Sequence, residues 1–478
     1  MNFKYFSRIH HAKHLYSVLT LSVALAAQSA RAALPAPPPL PTFGPAVYNV
    51  TDPNPIINGG VAASTASADN AVALNAYVTY CSNNGGGTVE IPPGTFLSGT
   101  VTMRSNVRLK IDSGAILRDT SISSKLITAP GAGISNVEIS GGGIIDGGAT
   151  TTTSSTNLVD MRNVNTLAIL NVTIQNAAHE HLVPINDTNV SVIGVTINDN
   201  ATLAANAGKY LANTDGIDFA GNNFLFKNLT INCGDDNIVA KPANFAVNNV
   251  VIADSTIGVG HGISVGGGSA QGVSNMIVDN VTMNGTDNGL RLKAHDAADG
   301  NAGGGTANPV NNVTYSNITM TNVKNPIVID SFYNGNNNFP IDPADPASYP
   351  ASPTAIGATT PIWKNISFEN ITATGASNGG QIYGLNTDPV DLDGLSFKNV
   401  NISAFSHMNL WYAKNADLSG LTVTVPSFDA YANASPVPGV FLSNVTTVPE
   451  PATIALAAIS MFSLWASRSR KKLISAAP

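Results

Sequence analysis

The segments Asn171-Val172-Thr173-Ile174, Gly194-Val195-Thr196-Ile197, Asn228-Leu229-Thr230-Ile231 and Asp254-Ser255-Thr256-Ile257 are versions of one four-residue pattern. A turn-forming residue comes first, then a mostly apolar residue, then Thr, then a second apolar residue. The pattern returns as Asn280-Val281-Thr282-Met283, Asn317-Ile318-Thr319-Met320, Asn370-Ile371-Thr372-Ala373, Asn399-Val400-Asn401-Ile402 and Gly420-Leu421-Thr422-Val423. Short steps between successive starts run from 21 to 29 residues, and the long ones are 34, 37 and 53. Short alternating runs rich in Val, Ile and Thr, punctuated by Asn and Gly, read as strands rather than helices. A unit of this size cannot bury its own apolar face, so it must stack on its neighbours. The units lack a Leu-x-x-Leu-x-Leu frame and fall short of the ~40 residues of a propeller blade. The reading is therefore all-β, a right-handed parallel β-helix over residues 59–430. Ala66 to Cys81 reads as a short amphipathic helix that caps the N-terminal end, and Gly85 to Gly94 opens the first coil. Insertions at 199–212, 296–310 and 333–361 interrupt the stack. The last carries Pro340, Pro343, Pro346, Pro350 and Pro353 and is read as a loop. Long loops in such a stack are expected to wall a functional surface.

Composition narrows the function. The chain has 478 residues, of which only 11% are charged, with a net charge of −7. An ordinary domain carries roughly 25%. Hydrophobic residues at 43% exclude a charged disordered chain. The absence of a basic surplus argues against nucleic acid as a partner. The two cysteines, Cys81 and Cys233, are read as unpaired and structural.

Both ends read as addresses. Lys4, Arg8 and Lys13 precede an apolar run from Leu15 to Ala27 and the small-x-small site Ala30-Arg31-Ala32. That is the layout of a signal peptide over 1–32. Residues 33–58 read as a Pro-rich linker. At the other end, Val448-Pro449-Glu450-Pro451 precedes an apolar run from Ala452 to Ala466 and the basic residues Arg468, Arg470, Lys471 and Lys472. Residues 448–478 resemble the PEP-CTERM sorting signal. The resemblance implies export, transient anchoring in the inner membrane and processing by an exosortase-type enzyme. The expected location is the periplasm, outer surface or exterior.

Polar clusters concentrate in consecutive middle coils. They are Asn213-Thr214-Asp215, Gly234-Asp235-Asp236, Gly260-His261-Gly262 and Arg291-Leu292-Lys293, with Tyr333 in the coil beyond. Asp235 and His261 both fall seven residues after their repeat starts, which sets them on one face about one strand spacing, ~4.8 Å, apart. Neighbouring carboxylates push their proton affinities apart, so one can serve as acid while others serve as bases. Glycosidic cleavage needs that division. Arg291 and Lys293, two apart on a strand, face the same way and suit a substrate carboxylate. Acids for chemistry with cations for binding point to an acidic sugar polymer.

At these four motifs the sequence resembles the polygalacturonases of glycoside hydrolase family 28. The resemblance covers roughly residues 60–425. It implies a pectin lyase-like β-helix and hydrolysis of α-1,4-galacturonan with inversion, without a cofactor or metal and as a monomer. By the same resemblance Asp235 is the general acid, and Asp215 and Asp236 hold and activate the water. His261 supports the acid, while Asn213, Arg291, Lys293 and Tyr333 bind substrate. Asp218 is read as structural. His179 and His181 are read as a polar stretch at the groove's edge, since two imidazoles alone make no metal site. Three other readings stay open: a pectate-lyase-like β-eliminase, a rhamnogalacturonan or xylogalacturonan hydrolase, and a non-catalytic polysaccharide-binding solenoid.

Overall fold

In the four-residue repeat, the first position sits at a corner. Asn171, Gly194, Asn228, Asp254, Asn280, Asn317, Asn370 and Asn399 all have φ between 51° and 68°. That left-handed conformation is tolerated by Gly, Asn and Asp, which explains the residue choice. The corner amides also bond from coil to coil: Asn370 Nδ2 donates to Asn317 Oδ1 at 3.1 Å and Asn399 Nδ2 to Asn370 Oδ1 at 3.0 Å. The third positions stack in register, Thr173 on Thr196 on Thr230 on Thr256 on Thr282 on Thr319 on Thr372. The fourth positions, Ile174, Ile197, Ile231, Ile257, Met283 and Met320, are fully buried. They form one column of the core. Another is aromatic: Tyr315, Phe368 and Phe397 stack with ring centroids 5.3 and 5.1 Å apart.

The computed structural model describes residues 34–150, 154–199, 211–334, 351–430, 432–433 and 435–448. Among these, 27 strands make one continuous sheet whose named pairings are all parallel, wound as a right-handed β-helix. The expected signal peptide, nearly all of the expected sorting segment and much of the insertions at 199–212 and 333–361 lie outside the described residues.

Three expected boundaries change. The cap helix spans Ala71–Asn83 and starts five residues later than the reading from Ala66. Asp69 and Asn70 are the reason: their side chains bond Gly99 N and Leu97 O, each at 2.8 Å, and so hold the preceding chain against the first coils. Leu74, Tyr77, Val78 and Cys81 then cover the apolar end of the stack. The stretch expected to be only a linker contains the strand Val47–Asn49, which pairs with Gly87–Ile91. At the far end Val440–Thr447 pairs with Met408–Ala416, so the stack runs past 430.

The insertion at 296–310 is tied to the chain near 360. Gly303 N donates to Thr359 O at 3.0 Å, and Thr359 and Thr360 hydroxyls both donate to Asp296. These loops stand beside one face of the helix, built from the strands Ile217–Lys227, Ile238–Ala240, Ile263–Val265, Asn288–Lys293 and Asn325–Asp330. On that face Ile217, Ile238, Ile263, Leu290 and Ile327 stack inward in register. The next column is Asp218, Val239, Ser264, Arg291 and Val328.

Candidate active site

Each polar motif is anchored by its small residues. Thr214 Oγ1 donates to Leu211 O at 2.8 Å and accepts Gly234 N at 3.0 Å, which clips one coil's loop to the next. A Cβ on Gly234 would sit 1.7 Å from Leu211 O, so only glycine fits there. Gly262, at φ 76°, would bring a Cβ within 2.2 Å of two carbonyl oxygens of the following coil. Asn237 joins the two turns, donating to Val259 O at 2.9 Å and accepting Gly262 N at 2.8 Å. The acids and the imidazole are thus positioned by backbone contacts that tolerate no larger side chain.

His261 Nδ1 lies 2.8 Å from Asp235 Oδ1, as the equal offsets predict. The same oxygen accepts Asp236 N at 2.9 Å. Burial pushes Asp235 up, but the His261 bond leads the opposing effects and its carboxyl ends below the ordinary value. Burial pulls His261 down, yet the bond to Asp235 prevails and raises it. Both shifts favour the charged pair, carboxylate and imidazolium.

Asp236 is 1% exposed and accepts hydrogen bonds from Ser264, Arg291 and Lys293. Ser264 Oγ donates to Oδ1 at 2.8 Å, Arg291 Nη2 donates to the same oxygen, and Lys293 Nζ donates to Oδ2 at 2.8 Å. Lys241 adds only its field, from further off. Burial alone would raise Asp236, but Arg291 and then Lys293 hold its carboxyl far below the usual range.

Arg291 differs from the expectation. Read as a groove-facing fork, it is 3% exposed and turns to Asp236 and to Ser264 Oγ at 3.2 Å. It stands in register beside Ser264, which bonds the same carboxyl oxygen of Asp236. Lys293 also bonds Asp236 but does line the cleft, with its Nζ 4.9 Å from the centroid of the Tyr333 ring. Tyr333 is held from behind by His295 Nδ1 on its carbonyl.

The cleft itself has a volume of about 400 Å³. Asn213, Asp215, Asp235, Asp236, Lys293 and Tyr333 line it, and so do His179, Glu180 and Lys241. His261 stands beside Asp235, and its side chain is about equally exposed, 22% against 23%. All eight residues singled out from the sequence therefore converge on one place, with Arg291 and His261 bonded to the acids that line the cleft.

One residue was missed, and of the two histidines expected at the groove's edge one lies there and one does not. Lys241 bridges Asp215 Oδ2 and Asp218 Oδ2, each at 3.2 Å. Burial pushes Asp215 well above its ordinary value, with Asp218 adding and Lys241 opposing. Burial likewise pushes Asp218 up to about 6. The available signal was a lysine five residues past Asp236, in a chain where charge is scarce. His179 and Glu180 pair with each other at the cleft wall. His181, by contrast, is fully buried and clamps Asp215 from behind, its Nδ1 3.0 Å from the Asp215 carbonyl and its Nε2 2.7 Å from Asp199. The two imidazoles are thus split between wall and core.

Asp235, Asp236 and His261 offer ligand atoms within 4.8 Å of one another. A cation there would have to compete with Arg291 and Lys293 for Asp236 and with Asp235 for the imidazole.

The sequence profile of glycosyl hydrolases family 28 matches residues 81–423. An endo-polygalacturonase of Pectobacterium parmentieri is 26% identical over 405 residues, covering 74% of this chain and 89% of that protein. One from Pectobacterium carotovorum subsp. carotovorum is 26% identical over 352 residues, covering 64% and 79%. The solved family 28 exopolygalacturonase of Yersinia enterocolitica superposes with a TM-score of 0.65 at 18% identity, over 85% of this chain and 78% of that one. That likeness concerns the fold.

Proposed function

The chain belongs to glycosyl hydrolases family 28 and is a glycoside hydrolase, and from that premise we propose that it cleaves α-1,4-galacturonosyl bonds of polygalacturonan by inverting general acid–base hydrolysis. The observation that carries the proposal is the meeting, in one cleft, of three carboxyl groups with separated proton affinities and a cation, Lys293, that reaches the cleft beside Tyr333. The names of the similar proteins support pectin as the substrate.

In this reading Asp235 gives its proton to the leaving glycosidic oxygen. The His261 bond favours its ionised form, but the uronate charges of a bound polymer and the loss of water both favour its neutral form. His261 supplies the geometry and the nearby proton. Asp236, kept ionised by Arg291 and Lys293, and Asp215 hold the attacking water. One of them takes its proton as the hydroxyl joins the anomeric carbon, and the bond to the leaving oxygen breaks as Asp235 protonates it. Lys293 faces a uronate carboxylate, Tyr333 offers a ring face to the sugar, and Asn213 offers its amide at the rim. Arg291 serves substrate binding by fixing Asp236 and Lys293. No cofactor enters the reaction.

The signal-peptide layout and the sorting-type C-terminal segment support export, processing by an exosortase-type enzyme and action on plant cell-wall polymer by a monomer at or beyond the cell surface. The test is incubation with polygalacturonate while reducing ends and ultraviolet-absorbing unsaturated products are both followed. Reducing ends alone, with inverted anomers by proton NMR, are expected. Unsaturated products would replace the proposal with β-elimination, and binding without products would replace it with a carbohydrate-binding role.

A further inference from the structure

We propose that Lys241 is a positioning residue that keeps Asp215 competent as a base by bridging it to Asp218. The proposal rests on the reading of Asp215 given above. The geometry is unusual for so low a charge content. Two carboxylates, each about 5% exposed or less, share one ammonium group whose nitrogen is 3.2 Å from an oxygen of each. Lys241 is fixed by its own backbone, whose N–H donates to Phe219 O at 2.8 Å on the strand that carries Asp218. The side chain, 33% exposed, reaches the two acids from that anchored backbone.

Around this trio stand groups from every neighbouring coil. Glu180, His179 and the buried His181–Asp199 pair face it from the preceding coil, and Asp235 and Asp236 from the following one, with Lys293 beyond them. The close charges other than Lys241 are mostly negative. Without the lysine, two buried carboxyls would share a proton and Asp215 would be neutral through most of the working range. A neutral Asp215 cannot accept a proton from water.

The experiment compares Lys241→Met, Lys241→Arg and the double variant Lys241→Met/Asp218→Asn with the wild type. Two readouts are taken: the acid limb of kcat/KM on polygalacturonate, and carboxyl titration by carbon NMR in the substrate-free protein. Removing one adjacent opposite charge moves a carboxyl by about 1–3 pH units. Lys241→Met is therefore expected to shift both the acid limb and the Asp215 titration upward by that amount, with KM little changed. The double variant removes the competing acid and should bring both back toward the wild type, and Lys241→Arg should keep both in place. An unmoved titration in Lys241→Met, or a rise in KM that Asp218→Asn does not rescue, overturns the proposal and makes Lys241 a substrate contact. If Lys241→Met does not fold, the NMR titration of Asp218→Asn decides. There the Asp215 carboxyl should fall because the lysine is no longer shared, and an unchanged value refutes the bridge. The titration needs no substrate, so failure on polygalacturonate would count against the activity without touching this inference.

Discussion

Replacing Arg291 with Met tests whether the buried cation serves Asp236 or the substrate. Met keeps much of the stem and removes the fork. Asp236 would remain 1% exposed, with Lys293 at 2.8 Å and Ser264 at 2.8 Å but without its closest donor. Breaking a buried ion pair from one side costs about 3–5 kcal/mol, because the other charge stays buried. The surviving Lys293 bond places the expected loss at the low end, about 3 kcal/mol. Asp236→Asn should also destabilise, since it leaves two cations facing an amide. The double variant Arg291→Met/Asp236→Asn should cost less than the two singles together, with a coupling of about 2 kcal/mol or more. Urea unfolding of the four proteins measures this directly. In parallel, Arg291→Met should lower kcat on polygalacturonate more than it raises KM, because Asp236 loses its orientation. Additive singles within about 0.5 kcal/mol, accompanied by a large rise in KM, would refute the reasoning and return Arg291 to the substrate.

Asp235→Asn should reduce turnover by about 10²–10⁴-fold while polymer binding persists, because an amide cannot protonate the leaving oxygen; retention of a tenth of wild-type kcat would move the acid elsewhere. Gly234→Ala drives a Cβ to 1.7 Å from Leu211 O and should destabilise by at least about 1–3 kcal/mol and depress turnover with it; a melt unchanged from wild type would mean that the loop does not approach. Thermal midpoints should rise as pH falls from about 8 to about 5. Burial holds Asp187 up at about 8, Asp391 at about 7 and Asp330 at about 6, each above its unfolded value, so each penalises the folded state once ionised and ceases to do so on acidification. Asp236 works in the opposite sense, and its contribution is lost only once pH drops below the unfolded carboxylate range. A midpoint that falls steadily from pH 8 to 5 would contradict this.

The repeat made the fold legible because its four positions are four distinct physical environments. The left-handed corner admits Asn, Gly or Asp, and the fourth position faces the core, so the pattern survives even where Asn401 replaces Thr. The equal offsets of Asp235 and His261 carried the same logic to the site, and their 2.8 Å contact follows from it. What the sequence could not convey is which of two alternating cations lines the cleft. Arg291 and Lys293 are equivalent by alternation and almost equally buried, yet Lys293 lines the cleft while Arg291 turns to Asp236 and Ser264. Lys241 was missed for a related reason, because its partners Asp215 and Asp218 belong to another coil and nothing in its own segment announces them. The cap helix began late because two local side-chain bonds, at Asp69 and Asn70, outweighed a favourable apolar spacing.

The asparagine corners have a consequence for how such a molecule can change. Thr196 pairs with Thr230, Thr282 with Thr319, and Thr319 with Thr372, across steps of 34, 37 and 53 residues, in the same alignment that the short steps keep. Each corner restarts the count, so no error in length is passed to the next turn of the chain. Floor and walls are consequently under separate authorship. Variation can lengthen, shorten or exchange the segments that border the cleft, and with them the reach and shape of the polymer admitted, while the carboxyl groups beneath keep their spacing. A graft of one such segment from a related enzyme, cut at the flanking corners, is the natural unit for redesigning what this cleft accepts.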